Sequence, residues 1–428
     1  MVSSSQQLAE YIFPEPVSGP DAARLLLADC LAGRKWREDL LATLLQKRHT
    51  SLLFRTVIEG LSDRFDPRLC DVYADLFAEI LERTCHGLRA SDLRERYERV
   101  RRPRRFLGNI NAIKKVFVLS RVTIGADVAV TSVFLCAARQ FPNAEVYFVA
   151  PIKAWELFGG KPGIRHLPVN YERYGSLADR LSDWPSLRKN LSRGTGNVII
   201  DPDSRLTQLG LLPVCPEEDY FFFESRSYGG ESSETLSSLA SRWVKETFGT
   251  ANAAPFIQPV LPATVAPEIT VSFGVGGNRE KQVADPFERE LVAYLSRSGA
   301  SVVIDCGAGG EEEERARKTA AGCPGNVFLY KGAFTGFATM IASSRLYIGY
   351  DSAGGHVAAA SGVPMVSIFA GFPCDRMFDR WRPSGHDKIH IVRVAHQEPE
   401  TVLQETFKAV AGLVDFSQAP RSVICRPD

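Results

Sequence analysis

From Lys115 onward one pattern recurs: a short apolar run, a polar turn bearing glycine, and a helix-forming segment. Its fullest instance is Leu346 to Phe369, LYIGYDSAGGHVAAASGVPMVSIF. Leu346 to Gly349 ends an apolar strand, Asp351 to His356 is the turn, and Val357 to Ala360 is small and helix-forming. Gly362 and Pro364 stop that helix, and Met365 to Phe369 returns as a second buried strand. Continuous apolar runs joined through helices are the signature of a parallel sheet covered on both faces. A strand that ends in a polar turn and a helix N-terminus also makes an anion site, because the free N–H groups and the helix dipole point to one place.

The recurrence divides the chain. KVFVLS (Lys115 to Ser120), EVYFVA (Glu145 to Ala150), Asn197 to Ile200 and Tyr220 to Phe223 read as strands of one α/β unit, closed by an amphipathic helix at Glu234 to Phe248. A linker follows from Thr250, with Pro255, Pro259, Pro262 and Pro267, and composition of this kind in mid-chain marks a hinge. A second α/β unit opens at Glu268, with strands at Ile269 to Phe273, Ala300 to Asp305, Asn326 to Leu329, and then the Leu346 to Phe369 stretch. The expected division is 1–110 helical, 111–250 first α/β domain, 251–267 linker and 268–428 second α/β domain, with the final helix able to pack back on the first. Two such domains place a ligand cleft between the carboxyl ends of their sheets.

The first 110 residues differ in texture. DAARLLLADCL, WREDLLATLLQ, SLLFRTVIEGL and LCDVYADLFAEIL carry apolar residues at three- and four-residue spacing, which predicts a helical bundle or arm packed on the main body. No chemistry is legible in it. An arginine-rich stretch follows: Arg94, Arg96, Arg99, Arg101, Arg102, Arg104 and Arg105. It could meet phosphates of a lipid surface or of nucleic acid. Glu95 and Glu98 interrupt it, so a solvated helix end and linker is the reading preferred.

With 45% hydrophobic and 24% charged residues and a formal net charge of +1, the chain has the composition of an ordinary globular protein, and global charge points to no nucleic acid partner. No apolar run is long enough for a membrane span, and MVSSSQQLAEYIF lacks the basic and apolar regions of a secretion signal. The nine cysteines are scattered without CxxC or CxxH spacing, which fits reduced thiols in a cytoplasm and argues against a cysteine zinc site. The expected location is cytoplasmic, with peripheral contact at the inner face of a membrane as the one membrane role left open.

Three loops, each leaving the carboxyl end of a strand, carry the candidate chemistry. Arg121 to Thr131 holds Asp127 just ahead of a helix, where it is either an N-cap or a general base facing the cleft. Gly274 to Lys281 combines Gly276 and Gly277 with a mobile cation, Lys281, but lacks the GK[ST] ending of a phosphate-binding P-loop. Asp351 to His356 offers the Ser352 hydroxyl, the N–H groups of Ala353, Gly354 and Gly355, and the His356 ring to a diphosphate; His356 reads equally as an ordinary helix-start histidine. Together they put a carboxylate on the first domain and an anion site with a lysine on the second. That suits a sugar activated by a nucleoside diphosphate, held by the second domain while the first presents an acceptor.

DSAGGHVAAASGVP, followed by Trp381-Arg382-Pro383-Ser384-Gly385, resembles the D-[TS]-G-x-x-H-x-A-A-A-x-G-x-P … W-x-P-x-G pattern of the family 9 glycosyltransferases, the ADP-heptose:lipopolysaccharide heptosyltransferases. The stretch VFVLSRVTIGADVAVTSVFLCAARQFPNAEVYFVAP is similar to that family's opening strand, G-D-x-x-x-T turn and helix. The resemblance spans roughly residues 113–395 and leaves the leading helical region outside. It implies an α/β fold of two facing Rossmann-like domains (the GT-B architecture), inversion at the anomeric carbon, no metal, and no cofactor beyond the nucleoside diphosphate sugar, with ADP-heptose the best match, as co-substrate. It implies Asp127 as the catalytic base, Lys281 on the donor phosphate, Asp351, Ser352 and His356 in the diphosphate loop, and Glu311 or Glu312 on the nucleoside ribose. On the acceptor side, Thr131, Asp201 and Arg205 are the weaker candidates, for a glycan, glycolipid or other hydroxyl acceptor. The sequence departs from the pattern at Ala126 and Ala353, where the family has glycine. Asp201-Pro202-Asp203-Ser204-Arg205 also stands in place of its D-x-Q-G-x-x-[KR]-S acceptor segment. A nucleotide-sugar epimerase of the same architecture and a non-catalytic nucleotide-sugar-binding protein are the alternative readings.

Overall fold

The computed structural model describes residues 17–172, 175–260, 266–276, 278–307 and 309–415. Two parallel sheets dominate it. In the first, β1 (Lys115–Leu119), β2 (Glu145–Ala150), β3 (Ile164–Pro168), β4 (Asn197–Asp201) and β5 (Tyr220–Phe222) lie in the order β3-β2-β1-β4-β5. In the second, β6 (Ile269–Ser272), β7 (Val302–Asp305), β8 (Val327–Tyr330), β9 (Leu346–Tyr350), β10 (Met365–Phe369) and β11 (Ile389–Arg393) lie in the order β11-β10-β9-β6-β7-β8. Every pairing is parallel. Strand order reverses between β1 and β4 in the first sheet and between β6 and β9 in the second. A crevice opens at the carboxyl ends of strands at such a reversal. β3 and β11, which the apolar pattern misses, are sheet-edge strands carrying Arg165 and His166 or His390 and Arg393, so no unbroken apolar run announces them.

Strand alternation sorts the cores. Val116, Val118, Val198 and Ile200 face one side of the first sheet with Phe134, Phe223 and Trp243. Phe117, Leu119, Ile199 and Phe222 face the other, where they meet Tyr73, Phe77 and Leu81 of the leading helices. The helical region is therefore one covering layer of the first sheet. The second sheet has its own core around Val271, Leu291, Ile348 and Ile368. Its opposite face, through Tyr347, Val357, Met365 and Phe369, joins the core of the first domain.

The arginine-rich stretch is an internal clamp. Arg96 is buried and donates to the Gly210 carbonyl at 2.5 Å while lying over Tyr220 at 4.8 Å. Arg99 pairs with Glu217, Arg101 with Asp71, and Arg104 donates to the carbonyls of Glu217, Glu218 and Tyr220. The final described helix, Pro399–Leu413, buries Val402, Leu403 and Val410 in the second-domain core, so it does not return to the first domain. No helix among the described residues is long and apolar enough to cross a membrane.

Candidate active site

The two crevices face each other across a cavity of about 1100 Å³, with a smaller one of about 280 Å³ sharing Lys281, Asp351, Ser352 and Ala353 with it. The first is of the size that takes a drug-sized ligand.

On the second domain, the helix after β9 runs Ala353–Ala360, so it begins four residues earlier than the apolar pattern suggests and the turn shrinks to Asp351 and Ser352. A small residue is needed at the second position of this helix: Gly354 lies against the Tyr347 ring and hydroxyl, where a side chain would not fit. Ser352 stands at the N-cap, extended, with its Oγ buried beside the Tyr347 hydroxyl. Ala353 and Gly354 line the cavity, which puts the first-turn N–H groups of this helix at its wall. Lys281 donates to the Asp351 carboxylate and, at 3.2 Å, to its carbonyl oxygen. This ties the loop after β6 to the loop after β9 and holds an ammonium group at the helix start. Gly276 lines the cavity with φ +59°, a conformation that favours glycine; Gly277 lies outside the described residues.

The glutamate pair resolves into two roles. Glu312 faces the cavity and accepts from the Val275 N–H at 3.1 Å, whereas Glu311 pairs with Arg279 at the surface. Gly355 lies behind the cavity wall. His356 is buried, its ring 5.5 Å from that of Trp381, and burial lowers its pKa, which favours the neutral imidazole. It reaches the smaller cavity only.

The first-domain candidates separate. Asp127 is fully buried and lines neither cavity. Ser120 Oγ (2.8 Å), the Arg121 N–H (2.8 Å) and Thr131 Oγ1 (2.9 Å) all donate to its carboxylate. Burial nevertheless raises its pKa to about 6, against those three hydrogen bonds. Thr131 thus supports Asp127 from one helical turn on and does not face an acceptor. Ala126 takes φ −69° and ψ −33°, ordinary helical values, so alanine fits where the family pattern has glycine. Asp201 is also enclosed, accepting from Ser204 N, Thr207 Oγ1 and Tyr220 OH at 2.5–2.6 Å. Of the three acceptor candidates, only Arg205 reaches the cavity, beside Arg121 and Asp203.

Sequence reasoning missed one contribution altogether. Arg55, Glu59, Gly60, Asp63 and Arg64 of the helical region line the larger cavity, and Glu59 and Asp63 also line the smaller one. The only signal was a polar Asp63-Arg64 pair closing the apolar-periodic helix ahead of Asp66-Pro67, and polar residues at a helix end read as solvent-facing. Arg121 was marked only by its place as the residue after Ser120 at the end of β1.

The profile of glycosyltransferase family 9 (heptosyltransferase) matches residues 285–411. Lipopolysaccharide heptosyltransferase 1 of Pseudomonas aeruginosa is 34% identical over 296 residues, covering 60% of this chain and 78% of that protein. Lipopolysaccharide heptosyltransferase 3 of Escherichia coli is 34% identical over 102 residues, a match that spans 23% of this chain and 28% of that protein. Among solved structures, the E. coli heptosyltransferase WaaC with ADP-2-deoxy-2-fluoro heptose superposes with a TM-score of 0.53 at 16% identity, covering 70% of this chain and 99% of that one. A family 9 glycosyltransferase from Veillonella parvula gives 0.53 at 14% identity, covering 72% and 98%. These structural matches speak for the fold of two facing Rossmann-like domains.

Proposed function

Because the chain belongs to glycosyltransferase family 9, we propose that it transfers a heptose-like sugar from ADP-heptose to an acceptor hydroxyl, with inversion and without a metal ion. The observation that carries the donor half is the anion site of the second domain. The Lys281 ammonium, Ser352 and the first turn of helix Ala353–Ala360 line one end of the larger cavity. A diphosphate seated there gains stabilisation as its bond to the sugar breaks, since negative charge grows on the leaving oxygen. In this reading that work falls to lysine and helix end, with no metal called for. Glu312, at the cavity wall beside Val275 and Gly307, is placed to accept from ribose hydroxyls.

Inversion requires the acceptor oxygen to attack the anomeric carbon from the side opposite the diphosphate, which puts the acceptor on the first-domain wall. Proton removal from that oxygen falls to a carboxylate. The resemblance implies Asp127, an assignment that needs the turn after β1 to open, because both oxygens of Asp127 are held by Ser120, Arg121 and Thr131. The names of the relatives make a lipopolysaccharide core the first acceptor to try.

Incubation with ADP-heptose and a heptose-deficient lipopolysaccharide core tests the proposal. The expected result is acceptor-dependent ADP release that survives EDTA, with the product linkage of anomeric configuration opposite to the donor. In a thermal-shift series ADP should raise the melting temperature more than UDP or GDP. A protein that neither binds ADP nor consumes ADP-heptose is not the enzyme proposed.

A further inference from the structure

The smaller cavity is lined from both sides of the proposed reaction. It shares Lys281, Asp351, Ser352 and Ala353 with the larger one, and Gly125 and Ala126, the two residues ahead of Asp127, line it as well. At about 280 Å³ it is at the lower end of ligand pockets, which run about 300–1,000 Å³, so it suits one sugar ring rather than a chain. The leading helical region adds a further wall. Its run Glu59–Ser62 ends at Asp63, and Phe65 follows with φ +52°, a left-handed conformation uncommon for a bulky residue. Phe65 enters the core shared by the two α/β domains, edge-on to Trp381 at 6.4 Å, and Arg376 of the second domain donates to its carbonyl. The backbone beside Asp63 is thereby fixed from the donor side.

Three side chains of this cavity have hydrogen-bonding capacity in reserve. Asp63 is half-buried, and its carboxylate makes no hydrogen bond or ion pair among the described residues. The Arg205 guanidinium likewise has no such partner among them. Arg205 acts on Asp63 more strongly than Lys281 or Arg121 does, yet the two form no ion pair, so the gap between them is open to a ligand. Asp203 is 1% exposed; its Oδ2 accepts from Ser225 and pairs with Arg226, while its buried Oδ1 has no hydrogen-bond partner among the described residues. A carboxylate at a helix C-terminus also works against the helix dipole, so the position of Asp63 serves no local stability.

A carboxylate and a guanidinium across a gap match a pair of sugar hydroxyls, which donate to the first and accept from the second. An anion fits less well. Burial lifts the Asp63 carboxyl to about 6, which leaves it mostly ionised at pH 7.5. Among the described residues, the four carboxylates Glu59, Asp63, Asp203 and Asp351 outnumber the three cations Arg121, Arg205 and Lys281 on this cavity.

We propose that the smaller cavity is the acceptor subsite, that it takes one uncharged, hydroxyl-bearing sugar ring, and that Asp63 and Arg205 bind two of its hydroxyls. The proposal rests on the transfer reading above and deepens it. Asp63 holds a hydroxyl beside the reacting one, and proton removal stays with Asp127. The helical region, outside the family resemblance, thereby sets which acceptor this chain takes.

The test measures transfer from ADP-heptose to the heptose-deficient core by wild type, Asp63→Ala and Asp63→Asn. Methyl glycosides of neutral hexoses and heptoses, each with and without a phosphate ester, compete against the core. In wild type the uncharged glycosides should compete better than their esters. Asp63→Ala should raise the acceptor KM about 10-fold or more, with ADP affinity by calorimetry within about threefold of wild type. Asp63→Asn keeps an acceptor oxygen and loses the charge, so its KM should rise less while its discrimination against the esters falls as far as that of Asp63→Ala. If Asp63→Ala does not bind ADP, the discrimination by Asp63→Asn decides. An unchanged acceptor KM in Asp63→Ala, unchanged discrimination in Asp63→Asn, or esters that compete better than the uncharged glycosides in wild type overturns the subsite and leaves the transfer reading standing. Competition by none of the glycosides does the same. Wild type that consumes no ADP-heptose overturns both.

Discussion

Lys281 and Asp351 are bonded to each other across the strand-order reversal of the second sheet, 70 residues apart in sequence. Asp351 is 7% exposed and Lys281 19%, so the pair is largely withdrawn from water. A buried pair of this kind stabilises little by itself, but removing one partner leaves the other charge uncompensated. In the proposed donor site, the lysine turns part of its charge to an incoming phosphate while Asp351 holds it at the helix N-terminus.

Lys281→Ala should weaken ADP binding by about 10-fold to 100-fold, since a charge-assisted hydrogen bond contributes about 1.5–3 kcal/mol. It should also lower the melting temperature of the free protein, because Asp351 is left alone. Calorimetry and thermal unfolding of the same variant separate the two effects. Unchanged ADP affinity would remove Lys281 from the donor site.

The neighbouring glutamates should part company. Glu312→Ala should reduce ADP-heptose affinity and free the Val275 N–H, whereas Glu311→Ala removes a surface pair whose side chains are more than 70% exposed. Exposed pairs contribute at most about 1 kcal/mol. Binding isotherms for the two variants side by side decide the register, and equal losses would show that the cavity wall has been misassigned.

Asp201 gives a pH test that is separate from catalysis. Burial raises its pKa from 3.8 to about 6, despite donors from Thr207, Tyr220 and Ser204. With a folded pKa above the unfolded one, the native state binds the proton more tightly. The contribution to stability is therefore greatest below about pH 4 and is lost as pH rises through 6. The loss is of order 3 kcal/mol, at 1.36 kcal/mol per pKa unit. Asp201→Asn has no such loss, so its destabilisation relative to wild type should be larger at pH 5 than at pH 7.5. Denaturant melts at both values measure the difference; a larger penalty at pH 7.5 would contradict it.

The arginine-rich stretch should bind no nucleic acid. Five of its seven arginines, Arg94, Arg96, Arg99, Arg101 and Arg104, are spent on carbonyls or carboxylates of the same chain. Polarisation with mixed oligonucleotides should stay flat between 50 and 200 mM salt. Arg96→Ala, in contrast, should cost about 2 kcal/mol of stability by leaving the Gly210 carbonyl short of its donor.

Much of the architecture was legible in the chain. Apolar runs closed by Gly, Pro and polar turns marked nine of the eleven strands, because buried parallel strands are nearly all apolar. β3 and β11 escaped because each is an edge strand broken by Arg and His, whereas the opposite edges, β5 and β8, stay apolar. The second-domain half of the site was legible for a related reason. An anion site made of backbone N–H groups needs its serine, glycines and helix formers within a few consecutive residues, as in Asp351 to His356.

The first-domain half could not be read that way. Sequence alone set Asp127 just ahead of a helix and gave Asp63 no role; the structure starts that helix at Ile124, so Asp127 lies within its first turns and is no N-cap. Only tertiary structure decided which carboxylate meets the cleft. Ser120 and Thr131 fold in over Asp127 and enclose it, while Phe65, fixed by Arg376 from more than 300 residues away, carries Asp63 to the cavity wall. Backbone chemistry is local and is written in runs of neighbouring residues. The exposure of one side chain depends on whatever distant segment lies over it, and no stretch of sequence records that.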